Sequence, residues 1–215
     1  WAKNRRIPPS EYLSSLGDHE PPIPKDLMLR VYGEYERRKA DQGYADFEDL
    51  IELAIRLLDA DEGALTQVRE RYQAFTVDEY QDVNLLQQTL LDRWLGDRDE
   101  LCAVGDDYQS IYAFTGASPE HLLAMASRFP HAKVIRLEDN YRSTPEVLEF
   151  ANRLVPRLGG AEKVLRATKA EGPEPITRSF STPELEAAFV IERIRALDEE
   201  GAPHENMAIL FRTNA

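Results

Sequence analysis

The chain has 215 residues and carries 26 Lys and Arg against 39 Asp and Glu, a formal charge of −13. That length allows one to two domains, 42% hydrophobic content is enough for a core, and one cysteine, Cys102, excludes an internal disulfide framework and points to a reducing compartment. No apolar run reaches the roughly 18 residues of a membrane span, and the acidic balance argues against a chain coated with nucleic-acid-binding charge while leaving room for a local site. The chain opens at Trp1 without a signal-peptide pattern and reads as a piece of a longer protein.

The first 24 residues are loop-rich, holding Pro8, Pro9, Pro21, Pro22 and Pro24, with a short helical piece at Ser10 to Ser15 that Ser10 can cap. Leu27, Val31 and Tyr35 recur at helical spacing from Lys25 to about Ala40, and Gly43 breaks the pattern. A second helix is predicted from Phe47 to Leu58 on a wide apolar face. The middle changes character. Short apolar runs at 74–77, 101–104 and 133–137 read as strands, separated by helical stretches at Leu85 to Leu95 and about Pro119 to Arg128. A helix at Pro145 to Leu154, a strand at Ile176 to Phe180, a helix at Leu185 to Leu197 and a strand at Met207 to Phe211 follow; Arg157 to Pro175 reads as irregular. Short apolar strands alternating with helices predict an α/β fold with a parallel sheet. Cys102 falls in such a strand and is expected in the core. His19, His121, His131 and His204 have no ligand spacing, so no zinc site is expected.

Three constellations carry chemistry. In the first, an apolar strand stops at Asp78-Glu79-Tyr80-Gln81-Asp82. In a parallel sheet, ligands sit beyond the carboxyl ends of the strands, where one carboxylate can hold hydrated Mg²⁺ and its neighbour can orient or deprotonate a water. A solvated turn would look the same. The second is a strand ending in Gly105-Asp106, then Gln109, then Tyr112 and Phe114. Gln109 can hydrogen-bond a phosphate or a water, and the two rings can stack on bases, a contact of about 1–3 kcal/mol each. Two core aromatics are the plainer alternative. The third is Asn140-Tyr141-Arg142-Ser143-Thr144-Pro145 after another strand. Ser143 or Thr144 can cap the next helix, with Pro145 in its first turn. Tyr141 can stack on a purine, and Arg142 can neutralise phosphate charge. Basic residues gather at Lys3, Arg5 and Arg6 and at Arg157, Lys163, Arg166 and Lys169, and read as ordinary solvated faces.

In this order the three constellations closely resemble the UvrD/Rep/PcrA family of superfamily 1 DNA helicases. Asp78 to Asn84 resembles motif II, Gly105 to Ala117 motif III, and Asn140 to Ser143 motif IV. Gly43 to Leu50, Ala208 to Ala215 and Trp1 to Asn4 are weaker matches, so the resemblance spans nearly the whole chain. It implies partial RecA-like P-loop NTPase motor domains: the end of an inserted helical subdomain over 1–38, the second part of the first motor domain over 39–142 and the start of the second over 143–215. The implied roles are Asp78 on Mg²⁺, Glu79 activating water, Gln109 sensing the γ-phosphate of ATP, Tyr141 stacking on adenine and Arg142 as an arginine finger. Tyr112 and Phe114, with Arg212 and Asn214, would contact single-stranded DNA. The implied activity is ATP-driven 3′ to 5′ movement and unwinding at single-strand/duplex junctions. The implied setting is cytoplasmic and nucleoid-associated, with DNA repair proteins as further partners.

Two departures stand out. The family often has Arg where this chain has Thr115, which removes a cation at a DNA contact. No Gly is followed by Lys, so the phosphate-cradling Gly-x-x-x-x-Gly-Lys-Ser/Thr loop does not occur in these 215 residues, and the segment alone is expected to be inactive. Two alternatives stay open: a helicase-like module that binds DNA or protein without turnover, and the motor part of a RecB-like helicase-nuclease.

Overall fold

The computed structural model describes residues 1–161 and 163–211; Arg212 and Asn214 lie outside the described residues. The N-terminal segment forms two 3-10 turns, Lys3–Arg5 and Pro9–Glu11. Ser10 lies inside the second turn and does not cap it. Its N-cap is Pro8, and the fixed φ of Pro9 starts the turn instead. Ile7, Tyr12 and Leu16 are buried, and the Tyr32 hydroxyl donates to the Ile7 carbonyl at 2.9 Å.

Helix α1, Lys25–Gln42, forms where the spacing predicts, although Leu27, Val31 and Tyr35 face solvent. It ends on Gly43 at φ 66°, a left-handed conformation that glycine adopts without a Cβ clash. Helix α2, Phe47–Ala60, opens on a capping box: Asp46 accepts from the Asp49 N–H, and the Asp49 side chain accepts from the Asp46 N–H. A third helix, α3 at Glu62–Arg71, has only a faint apolar pattern and was not expected; the Asp61 carboxylate caps it through the Ala64 N–H.

Strand β1, Phe75–Val77, helix α4, Leu85–Leu95, and strand β2, Leu101–Ala103, make a parallel β-α-β unit with Phe75, Thr76 and Val77 opposite Leu101, Cys102 and Ala103. The core lies where α2 packs on α4: α2 buries Ile55 and Leu58, and α4 buries Leu86, Leu91 and Leu95. The Arg98 guanidinium closes the return into β2. It donates to the Trp94 and Leu95 carbonyls ending α4 and to the Arg69, Tyr72 and Gln73 carbonyls ending α3. These are the acceptors that helix ends leave unpaired. On one face of the strand pair Phe75 stacks on Trp94 at 5.9 Å. The other face carries Thr76 and Cys102 into solvent, so Cys102 is exposed and not a core residue.

Beyond β2 the chain forms α5, Glu120–Leu123, and α6, Met125–Arg128, two short helices split at Ala124 in place of the single helix expected there. Strand β3, Asp139–Asn140, helix α7, Pro145–Asn152, helix α8, Val155–Leu158, and strand β4, Arg166–Ala167, follow; β3 and β4 pair in parallel. Helix α9, Pro183–Glu199, is capped by Thr182. The α/β expectation with parallel pairing therefore holds.

Three expected strands do not form. Residues 133–137, 176–180 and 207–211 have no regular secondary structure and no ladder partners among the described residues. An apolar run becomes a strand only where another backbone accepts its hydrogen bonds. At 176–180 Phe180 and Arg178 reach α9, Phe180 5.3 Å from the Phe189 ring and Arg178 over it at 4.6 Å, while Ile176 stays exposed. Residues 157–175, expected to be irregular, supply β4.

Candidate functional site

The site begins where β1 stops. Asp78 and Glu79 are both exposed beyond the carboxyl end of the strand. One Asp78 oxygen accepts the Glu79 N–H at 2.9 Å. Glu79 sits at φ 49°, a left-handed conformation that costs a non-glycine residue about 1–3 kcal/mol and persists only where its surroundings impose it. The surroundings are a 3-10 turn, Tyr80–Asp82, locked on both sides. Tyr80 is fully buried, donating its hydroxyl to Gln88 Oε1 at 2.6 Å, and burial pushes its phenol pKa up. Asn84 then caps α4 through the Gln87 N–H, with the Gln87 side chain reaching back to the Asn84 N–H.

The turn after β2 lies beside this one. The Tyr80 N–H donates to the Val104 carbonyl and the Val104 N–H to the Val77 carbonyl, extending the ladder by a step. Gln81, 1% exposed, donates Nε2 to Glu79 Oε2 at 2.7 Å and accepts the Asp106 N–H on Oε1 at 2.9 Å. A Cβ on Gly105 would come within 2.6 Å of that Oε1, so glycine is required for the approach. Gln109 is exposed and donates to Asp106 Oδ2 at 2.9 Å. Burial raises the Asp106 pKa, but hydrogen bonds from Gln109 and Lys163 outweigh it and hold the carboxyl below its ordinary range. Lys163 pairs with Asp106 and lies 4.2 Å from the Tyr108 ring, while Asp107 accepts the Ala161 N–H at 2.8 Å. The second half of the chain thus docks on this turn.

Tyr112 and Phe114 are 47% and 69% exposed with ring centroids 6.0 Å apart, so neither ring lies in the core formed by these residues. Gly116, at φ 98°, packs so closely on Trp1, Asn4 and Arg5 that an added Cβ would lie 3.2–3.3 Å from them. Asn4 donates to the Thr115 carbonyl at 2.7 Å, fixing the aromatic turn to the N-terminal segment.

Tyr141 and Arg142 occupy the turn after β3, both exposed. Asn140 Oδ1 accepts the N–H groups of Arg142 and Ser143 at 2.9 and 2.8 Å. Thr144 holds the N-cap position of α7, but its hydroxyl is buried without a partner, so Asn140, not Ser143 or Thr144, shapes this turn. The structure brings Asp78, Glu79 and Gln109 onto adjoining strand ends. Among the described residues no hydrogen bond or ion pair joins Tyr141 or Arg142 to them.

Neither Asp78 nor Glu79 is ion-paired to a cation among the described residues, and both offer the hard oxygen donors that Mg²⁺ takes. The strand end therefore fits a hydrated Mg²⁺. A second carboxylate group, Glu36, Asp46 and Asp49, differs because the Lys3 and Lys39 ammonium groups already fill it at 2.5–3.4 Å. Of the other residues in the basic clusters, Arg6 pairs with Glu52, Lys163 with Asp106 and Arg166 with Asp139. Residue-by-residue reading missed Gln81, Gly105 and Lys163. The partners of Gln81 and Lys163 lie 25 and 57 positions away, and no local pattern signals them.

Residues 2–130 match the model of the UvrD/REP helicase N-terminal domain, and residues 135–215 match the UvrD-like helicase C-terminal domain. A Mycobacterium tuberculosis protein named ATP-dependent DNA helicase UvrD2 is 42% identical across all of this chain, which covers 32% of that relative. Staphylococcus aureus ATP-dependent DNA helicase PcrA is 33% identical over 99% of the chain and 29% of its own length. A Bacillus subtilis protein named putative ATP-dependent DNA helicase YjcD is 34% identical over 87% of the chain and 25% of its own length. The chain spans a quarter to a third of these relatives.

Proposed function

The chain belongs to the UvrD/REP helicase family, and from that premise we propose that it is the middle of a longer ATP-driven helicase that moves 3′ to 5′ on single-stranded DNA and opens duplex at junctions. The observation that carries this reading is the adjoining of two strand ends: Asp78–Glu79 after β1 and the Asp106–Gln109 turn after β2, followed at once by an exposed aromatic pair. In domain terms, 1–38 close a helical subdomain, 39–142 belong to the first motor domain and 143–215 begin the second.

Asp78 would hold Mg²⁺, which when bound with ATP offsets phosphate charge. Glu79 orients the attacking water and takes its proton at the oxygen that Gln81 leaves free. Gln109, on an exposed turn, meets the γ-phosphate and would exchange its Asp106 contact for that ligand. Tyr141 stacks on adenine. Arg142, whose guanidinium has no ion pair among the described residues, brings a positive charge to the phosphoryl group. Tyr112 and Phe114 stack on bases. The work belongs to DNA repair or recombination, in the cytoplasm at the nucleoid. Without a phosphate-cradling loop in its 215 residues, the segment alone turns over no ATP.

Strand-displacement assays on duplexes with a 3′ or a 5′ single-stranded tail test the reading. The longer parent with Mg-ATP is expected to unwind the 3′-tailed duplex only, and the 215-residue segment neither. Unwinding from 5′ tails alone would contradict the polarity, and tight DNA binding without any unwinding would favour a binding module.

A further inference from the structure

We propose that Gln81 is a positioning residue: its buried amide holds the Glu79 carboxylate for hydrolysis and ties it to the segment bearing Gln109, Tyr112 and Phe114. The inference rests on the reading of Glu79 as the group that activates water. Gln81 is 1% exposed, and its amide is fully directed. Nε2 donates to Glu79 Oε2 at 2.7 Å, Oε1 accepts the Asp106 N–H at 2.9 Å, and its backbone carbonyl accepts the Ser110 hydroxyl at 3.3 Å. These partners fix which end of the amide faces which strand, because a carboxylate only accepts and an N–H only donates. The turn after β2 is shaped around the amide, since a Cβ on Gly105 would come within 2.6 Å of Oε1.

The amide also stands between two acids. Its Nε2 is 3.5 Å from Asp82 Oδ2, and the other Asp82 oxygen is buried without a partner. Burial, and then the charge of Glu79, push the Asp82 pKa up. One donor nitrogen is thus turned to Glu79 with Asp82 close behind it. The amide donates to the Glu79 carboxylate and so sets its side-chain direction, beside the left-handed backbone that the Tyr80–Asp82 turn imposes. Any shift of the Asp106–Ser110 turn on ligand binding pulls on Gln81 at two points and so reaches Glu79. A segment engaged at both sites can couple them, since each ligand favours one arrangement of it.

The test uses the longer parent protein with steady-state hydrolysis of Mg-ATP, with and without oligothymidine, across pH. Gln81→Met keeps the length and removes both amide contacts. Gln81→Glu keeps the acceptor for Asp106 and removes the donor to Glu79. Gln81→Met is expected to lower kcat by about 10- to 100-fold, the usual cost of losing a supporting contact. It should leave KM for ATP unchanged and abolish stimulation by DNA. Gln81→Glu is expected to lose at least as much at high pH and to recover as pH falls, because a protonated carboxyl regains a donor for Glu79. That recovery also separates positioning from a folding defect, which no pH-dependent rescue of kcat would follow. Wild-type kcat and DNA stimulation in Gln81→Met, with Glu79→Gln inactive, overturns this inference alone. A Glu79→Gln parent that hydrolyses ATP at the wild-type rate overturns the reading beneath it as well.

Discussion

Lys3 and Lys39 sit among Glu36, Asp46 and Asp49, with Lys39 only 9% exposed. Burial alone would lower the Lys39 pKa, but hydrogen bonds with Asp49, Glu36 and Asp46 outweigh it and hold the ammonium charged. For Asp46 and Asp49, burial raises the pKa, yet bonds from Lys3, Lys39 and the cap backbone bring it below the ordinary range. Groups with depressed folded pKa values stabilise the fold fully above their unfolded value, about 3.9 for Asp, and the contribution is lost as pH falls through the folded value. Lys3→Met leaves Lys39 as the only counter-cation of this group among the described residues. It should cost about 1–3 kcal/mol near neutral pH, between an exposed and a buried pair, and start acid unfolding at a higher pH. Urea midpoints measured from pH 3 to 7 check this; an unchanged acid limb would mean that Lys3 contributes nothing. The sequence displays Lys3 as one of three basic residues near the N-terminus, and only the fold, by carrying it to Asp46 43 positions on, converts it from a solvated charge into a tie. The place of Asp78 and Glu79 at a strand end was legible because an apolar run reports where it stops, whereas the proposed role of Gln81 depends on a partner in the turn after another strand.

At the scale of elements, α4 and the strands at 75–77 and 101–103 were legible because each signal is local: a cap, an apolar period, a turn. The strands expected at 133–137, 176–180 and 207–211 were not, because a ladder needs a neighbour that composition does not supply. On the proposed reading, the aromatic turn is the element that meets single-stranded DNA. Thr115 bonds its hydroxyl to the Tyr112 carbonyl at 2.7 Å and closes the turn from within. Phe114 is 69% exposed, so Phe114→Ala removes little packing. In the longer parent it should leave the melting temperature nearly unchanged and weaken single-strand binding by about 1–3 kcal/mol, the cost of one stacked base. DNA-stimulated hydrolysis should fall more than hydrolysis without DNA. A large drop in melting temperature with DNA stimulation intact would return Phe114 to a packing role.

At the scale of the whole molecule, the accessible surface is 16,313 Å². A compact monomer of this size exposes about 10,000 Å². The excess includes apolar surface: Phe47 is 84% exposed, Leu137 85%, Leu210 94% and Phe211 80%. The Leu50, Leu53 and Leu57 stripe of α2 is also open. On the proposed reading, these surfaces pack against the rest of a longer motor, which also supplies the phosphate-binding loop. The central claim is that the carboxylates beyond β1 carry out ATP hydrolysis for that motor. The most direct measurement is phosphate release from Mg-ATP by the longer parent on single-stranded DNA, with Glu79 changed to Gln. The substitution keeps the shape and an acceptor for Gln81 while removing the carboxylate that takes the proton of water. Release is expected to fall to background with nucleotide binding retained; release at the wild-type rate would contradict a role for Glu79 in hydrolysis.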